Sequence, residues 1–208
     1  MTGRPLLALC SYLAYLGVLL SGTWHYEAAV GRLLWGTGGV PGWWTSEVDA
    51  VATSQYALDW YTFAHVKLGV LCAYIAHGTL LYFGSRAQDA LYMTAASAFF
   101  ASTVQALIEV RENSNDQIQK FQAYYPLYAG DSLVNSLCDS LAVVVGVACA
   151  CGLFHGQPKS SKWRFCSLVG LSLALEALTL YTVCDSFWLT VVSSQFHLPS
   201  LIQFQKCL

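Results

Sequence analysis

Five long apolar runs constrain the fold of this chain more than any other feature of its sequence. They cover residues 5–22, 63–83, 91–108, 132–154 and 165–183. A helix of about 20 mostly apolar residues crosses the hydrocarbon core of a bilayer. Because that core offers no water to unpaired backbone groups, runs of this kind are expected to form helices. The sequence therefore predicts an all-α integral membrane protein, a bundle of about five transmembrane helices in a single polytopic domain over residues 1–208.

The segments between the runs complete this predicted architecture. The apolar segment 186–197 is only about half as long as a crossing helix, so we predict a short C-terminal re-entrant or interfacial helix there. With five spans, the two long loops at residues 23–62 and 109–131 lie on the same side of the membrane. The many tryptophans and glycines of the first loop indicate a chain folded along the membrane interface. We also predict a short helix near residues 46–58.

Composition supports the membrane class and excludes others. Charged residues make up 11% of the chain, against about 25% in an ordinary soluble domain, and the mean hydropathy is +0.49. The net charge is −2 and there is no basic run, so nucleic acid is not an expected partner. Seven of the eight cysteines lie in or beside apolar runs and read as small buried hydrophobic residues.

Polar side chains flank the apolar runs at one predicted face of the membrane. Asp131, Asn135 and Asp139 recur at i, i+4 and i+8, which places them on one face of a helix. The starts of the second and fourth runs and the end of the third meet at that face. The residues predicted to form a polar pocket or an interhelical network there are Asp59, His65, Glu109, Glu112, Asn113, Asp131, Ser132, Asn135 and Asp139.

Two interpretations of these polar residues stay open. In the first, they form a hydrated pocket that binds a polar headgroup, an ion or a small molecule, with carboxylates and one imidazole as acid/base groups. In the second, they form a network that fixes helix positions, with bonds worth about 0.6–2 kcal/mol each. Neither a metal nor another cofactor is expected, because Glu109-x-x-Glu112 lacks the histidine of a di-iron motif. No complete catalytic constellation is visible either, which favours a protein that is not an enzyme.

Several short motifs follow one another along the chain: Val30-Gly31-Arg32, Ser54-Gln55, Asp59-Trp60-Tyr61-Thr62-x-x-His65, Glu109-x-x-Glu112-Asn113, Gly130-Asp131-Ser132-x-x-Asn135-Ser136 and Asp139. In this order they resemble an uncharacterised family of bacterial multi-pass inner-membrane proteins that is known only as a domain of unknown function. The likeness extends over about residues 25–190, and the order of acidic and histidine residues is more distantly similar to the VanZ family.

This resemblance also reveals departures. The family's Cys-x-Cys-Gly is Gly36-Thr-Gly38-Gly39 here, a second histidine is Leu68, and an Arg-Asp-Asn is Cys184-Asp185-Ser186. The family occurs chiefly in the bacterial lineage from which mitochondria descend. The resemblance thus implies a non-catalytic accessory subunit of a mitochondrial inner-membrane complex, in the respiratory chain or ATP synthase, with other membrane subunits and phospholipid as partners. The alternative is a small enzyme or binding protein of the bacterial inner membrane that acts on a lipid headgroup or other amphiphile.

Overall fold

Six helices make up the described part of the chain. The computed structural model describes residues 3–36, 42–45, 54–82, 90–123, 126–156 and 161–183. In chain order the helices are α1 (Gly3–Ala29), α2 (Thr62–Tyr82), α3 (Ala90–Glu112), α4 (Asn115–Gln122), α5 (Leu133–Gly156) and α6 (Ser161–Val183). The described residues include no strand, only one isolated bridge between Trp44 and Leu58. The predicted all-α membrane class is confirmed.

Four of these helices are long and apolar enough to cross a membrane: Leu6–Ala29, Thr62–Leu80, Ala90–Glu112 and Leu133–Phe154. The fifth predicted span, 165–183, also forms a helix, α6, whose described side chains include the apolar stretch Val169–Leu178. The predicted helix at 186–197 lies outside the described residues.

The structure corrects the predicted end of the first span. Helix α1 continues seven residues past residue 22, to Ala29. Thr23 is accommodated because its hydroxyl donates to the carbonyls of Leu19 and Leu20. The helix stops where Gly31 takes a positive φ of 88°, and the Arg32 N–H donates to the Glu27 carbonyl at 2.9 Å. This is a Schellman-type end, which glycine permits because it has no Cβ.

Two other predicted boundaries change. Helix α3 runs to Glu112 rather than to residue 108, so Glu109 and Glu112 belong to its last turn. The helix predicted near residues 46–58 is wrong at residues 54–58, which form turns and a bridge, while residues 46–53 lie outside the described part. The two loops do meet at one end of the bundle, where the Ser132 N–H donates to the Ser54 carbonyl at 2.8 Å.

Helices α2 and α5 form the centre of the bundle. A Cβ on Gly69 would lie 2.1 Å from the Val143 carbonyl oxygen, and a Cβ on Gly146 would lie 2.0 Å from the Val66 carbonyl oxygen. The two backbones are therefore in direct contact, which small residues permit between membrane helices. Farther along the pair, His77 stacks on Phe154 with ring centroids 4.1 Å apart.

Helices α1 and α6 pack on the outside of this pair and on α3. Tyr12 and Tyr15 of α1 share hydrogen bonds with Ser102 and Thr103 of α3 at 3.0 and 2.6 Å. Helix α6 is joined to α2 by an ion pair between Glu176 and Lys67, which is 3% exposed. A charge inside the bilayer is costly unless it is paired, so this contact explains how both residues are tolerated there.

Candidate functional site

Buried polar side chains gather where four helices share one end of the bundle. That end comprises the last turns of α1 and α3 and the first turns of α2 and α5. We call the following residues the polar cluster: Glu27, His65, Gln105, Glu109, Asn113, Asp131, Ser136 and Asp139. All are buried except His65, which is half-buried.

Asn113 occupies the centre of the polar cluster and is fully buried. Its side-chain oxygen accepts the Asp131 backbone N–H at 2.8 Å, which fixes the orientation of the amide. Its nitrogen therefore points to acceptors, with Asp131 Oδ2 at 2.9 Å and carboxylate oxygens of Glu27 and Glu109 each at 3.4 Å. One amide thus joins acidic groups from α1, α3 and the segment that enters α5.

Ser136 lies between two of these carboxyl groups. Its hydroxyl oxygen is 2.9 Å from Glu27 Oε1 and 2.6 Å from Glu109 Oε2. A hydroxyl carries one proton and can donate to only one carboxylate. Ser136 of α5 therefore connects Glu27 of α1 with Glu109 of α3.

His65 extends the polar cluster towards the other side of α3. The Gln105 amide nitrogen donates to Glu109 Oε1, so the Gln105 oxygen faces His65 Nδ1, at 3.2 Å. An amide oxygen only accepts, which assigns the hydrogen-bonding proton to Nδ1. On the other edge of the ring, Nε2 lies 3.5 Å from Asp139 Oδ2. The side chains form a continuous path from Asp139 through His65, Gln105 and Glu109 to Ser136.

Asp131 lies between the last turn of α3 and the first turn of α5. Burial raises the pKa of its carboxyl group, while hydrogen bonds from Ser54 and Asn113 act in the opposite direction. The neighbouring Tyr128 hydroxyl donates to Asp131 Oδ1 at 3.4 Å. Burial, followed by the charge of Asp131, raises the pKa of Tyr128 well above its ordinary value.

The short loop before Asp131 is held in a conformation that only glycine adopts easily. Gly130 has a φ of +84°, and a Cβ there would lie 2.7 Å from Ile118 Cδ1. Arg32 fixes the same loop, since its guanidinium donates to the Ala129 carbonyl and to Asn115 Oδ1. Both acceptors are neutral, so this cation is not directly paired with a carboxylate of the polar cluster.

Three predicted site residues have structural partners instead. Asp59 caps α2: its Oδ1 accepts the N–H groups of Tyr61 and Thr62 at 2.7 and 3.3 Å, and its own N–H donates to the Thr62 hydroxyl. Ser132 caps α5 by accepting the Asn135 N–H at 3.2 Å. The Asn135 side chain donates to the Tyr56 carbonyl at 2.9 Å, which holds the first loop against α5.

Five of the other predicted residues lie within the polar cluster: His65, Glu109, Asn113, Asp131 and Asp139. Glu112 lies beside it, half-buried, and interacts electrostatically with Asp131, His65 and Asp139. The predicted set lacks three residues of the polar cluster. It lacks Glu27, because the predicted first span ends too early, Gln105, because it lies within an apolar run, and Ser136, although that residue is part of the Gly130-Asp131-Ser132-x-x-Asn135-Ser136 motif. Gln105 precedes Glu109 by four residues, so the shared helix face was a usable signal.

The polar cluster contains more acids than bases. Its carboxyl groups are those of Glu27, Glu109, Asp131 and Asp139, and its one titratable base is His65. Buried carboxylates in a low-dielectric region are stable only when a proton or a cation neutralises them. The arrangement is therefore suited to hold protons, a metal cation or a positively charged or hydrogen-bond-donating group.

The fold and this cluster define a small polytopic α-helical membrane protein with a buried acidic site at one end of its bundle. The chain belongs to the family described as Protein of unknown function (DUF2585), whose sequence pattern matches residues 27–207. This confirms the resemblance to an uncharacterised bacterial family.

Several bacterial relatives, each called UPF0314 protein, are similar to this chain. The protein of Paracoccus denitrificans (strain Pd 1222) is 29% identical over 173 residues, which cover 79% of this chain and 77% of the relative. That of Rhizobium meliloti (strain 1021) is 29% identical over 164 residues, covering 78% and 74%. That of Sphingopyxis alaskensis is 28% identical over 151 residues, covering 72% and 70%. No solved structure matches the chain.

These relatives overturn the expectation of a mitochondrial accessory subunit. They are whole bacterial proteins of similar length, and neither their names nor the family description refers to a respiratory complex or an ATP synthase. The altered motif positions were the basis of that expectation. They do not outweigh a match that extends over most of both chains.

Proposed function

We propose that this protein is a small binding protein or enzyme of the bacterial inner membrane that acts on the polar headgroup of an amphiphile. The excess of buried carboxyl groups in the polar cluster carries the proposal. A narrow crevice of about 10 Å³ between α1, α3 and α5 lies beside that cluster. Its lining consists of Leu16, Leu19, Leu20, Thr23, Ser102, Gln105, Ala106 and Ser140.

Gln105 connects the crevice to the polar cluster. It lines the crevice, and the same side chain is hydrogen-bonded to His65 and Glu109. An alkyl chain at the crevice would contact the leucines of α1, and its polar end would meet Gln105 and Ser140. The crevice itself, at about 10 Å³, has room for about one water molecule, so an alkyl chain would lie along the surface of α1 and only its polar end would enter.

Charge determines the class of headgroup. Four carboxyl groups face one imidazole in the polar cluster, so a cationic or hydrogen-bond-donating headgroup is favoured and an anionic one is disfavoured. A primary amine or a hydroxyl-rich group fits this requirement.

Blocking the crevice tests the proposal without changing the polar cluster. We expect Ala106→Phe to fill the crevice and to abolish retention of a bound alkylamine. The measurement is native mass spectrometry of the protein in neutral detergent with dodecylamine. Leu107→Phe is the matched control, because Leu107 is the next residue on α3 and is 66% exposed on the outer surface. Equal retention by the folded Ala106→Phe and Leu107→Phe variants would contradict the proposal.

A further inference from the structure

Three side chains of the polar cluster converge in the way that ligands of a metal ion do. His65, Glu109 and Asp139 come from α2, α3 and α5, and each offers one ligand atom within 4.8 Å of the other two. They lie within the first two turns of α2 and α5 and the last turn of α3. We propose that they form a binding site for a divalent transition-metal ion of the Mn²⁺ or Zn²⁺ class.

The orientation of His65 supports this site. Because the Gln105 oxygen accepts a hydrogen bond from Nδ1–H, a neutral His65 ring has its lone pair on Nε2, facing Asp139 Oδ2. Two acceptors then face each other across 3.5 Å. A histidine that binds a metal usually donates its other N–H to a carbonyl or carboxylate, which fixes the ring and makes the ligand nitrogen more basic. Gln105 is in the right place to be such a positioning residue.

Asp139 provides a second, independent observation. It is 5% exposed, and its Oδ1 has no hydrogen-bond partner among the described residues. The hydroxyl of Thr62 interacts with the same carboxyl group. A buried carboxylate oxygen without a partner is costly. A cation that His65, Glu109 and both oxygens of Asp139 bind together would supply the missing partner of Oδ1.

The separation of His65 and Asp139 fits this chemistry. Two ligand atoms bound to one tetrahedral ion at about 2.1 Å lie about 3.4 Å from each other, and His65 Nε2 lies 3.5 Å from Asp139 Oδ2. Glu109 offers the third ligand atom, within 4.8 Å of the other two, and its carboxylate is itself held by Gln105 and Ser136. One imidazole and two carboxylates suit Mn²⁺ or Zn²⁺ and leave at least one coordination position open for water or a ligand.

This site goes beyond the proposed amphiphile site and shares the polar cluster with it, but the two can be tested separately. The crevice requires Ala106 and the leucines of α1, whereas the metal site requires His65, Glu109 and Asp139. Metal binding by the Ala106→Phe variant would separate the two. If that variant binds Mn²⁺ but retains no dodecylamine, both sites are supported, and failure of one binding assay leaves the other interpretable.

The test is a metal titration of the purified full-length protein after chelator treatment. We expect the wild-type protein to bind one equivalent of Mn²⁺, measured by electron paramagnetic resonance, or one of Zn²⁺, measured by calorimetry. Mn²⁺ is informative because thiolates compete for it poorly, so the cysteines do not interfere. Electron spin-echo spectra of the Mn²⁺ protein should show modulation from an imidazole nitrogen. This measurement needs no mutation.

Variants then assign the ligands. His65→Ala and the nearly isosteric Asp139→Asn should each weaken Mn²⁺ binding by more than about 10–100-fold. That is the loss in metal affinity when a residue that only hydrogen-bonds to a metal ligand is replaced. His25→Ala is the matched control, because it removes an exposed imidazole of α1. Stoichiometric binding of neither ion, Mn²⁺ bound without nitrogen modulation, or wild-type affinity in folded His65→Ala and Asp139→Asn would overturn the proposal.

Discussion

Asn113 and Asp131 exchange two hydrogen bonds: the Asn113 amide donates to Asp131 Oδ2 at 2.9 Å, and the Asp131 N–H donates to Asn113 Oδ1 at 2.8 Å. This reciprocal pair joins the end of α3 to the segment that begins α5. Removing the Asn113 side chain should take one buried donor from Asp131 Oδ2 and the acceptor from the Asp131 N–H. We expect Asn113→Ala to lower the free energy of unfolding by at least about 1–3 kcal/mol. Gln119→Ala, at an exposed position on α4, should change it little in the same detergent unfolding assay.

Gly69 should tolerate no side chain. A methyl group there would lie 2.1 Å from the Val143 carbonyl oxygen, whereas one on Gly78 of the same helix would meet nothing within 4 Å. Gly69→Ala should therefore separate α2 from α5 and lower the thermal unfolding temperature. Gly78→Ala should leave that temperature unchanged or raise it, because alanine favours a helix by about 1 kcal/mol over glycine. Equal effects of the two substitutions would show that the close contact of α2 and α5 is incorrect.

The charge of Asp131 should make stability depend on pH. Because burial raises the pKa of this carboxyl group, the folded protein holds the proton more tightly than the unfolded chain does. The associated stabilisation is complete below the ordinary carboxyl pKa of 3.8 and is lost as the pH rises through the raised value. As the pH rises, the wild-type protein should therefore lose unfolding free energy relative to Asp131→Asn. A difference that stays constant or shifts the other way would contradict this assignment.

Asp59 should act through geometry rather than charge. Its carboxylate accepts two N–H groups at the start of α2, and asparagine can replace aspartate at this position of a helix. Asp59→Ala should cost about 0.5–2 kcal/mol of stability, whereas Asp59→Asn should retain most of it, as measured by thermal unfolding. A loss in Asp59→Asn as large as in Asp59→Ala would assign Asp59 to the acidic site rather than to the helix cap.

Hydropathy predicted the spans well because each apolar run is long and lacks competing signals. It failed at the end of α1, where a polar last turn is held by the Gly31 cap and by contacts of Glu27 with Asn113 and Ser136. Those contacts are between residues far apart in sequence, so no local pattern reveals them.

The polar residues show a different limit of sequence reasoning. Asp59 and Ser132 precede helices and could have been caps or ligands, because the same side-chain oxygens serve both roles. Only the three-dimensional positions separate them from Asp131 and Asp139. The shared membrane face was predictable from topology, whereas the central place of Asn113 depends on how four helix ends meet.

The proposed function requires that the acidic end of this bundle accept a cationic or donating headgroup from the membrane. Titration of the wild-type protein in neutral detergent with dodecylamine and dodecanoate, which have the same tail and opposite charge, measures this preference. We expect dodecylamine to bind at least about tenfold more tightly, a difference of about 1.4 kcal/mol, and the preference to be lost in Ala106→Phe. Equal affinity for the two ligands, or tighter binding of dodecanoate, would contradict it.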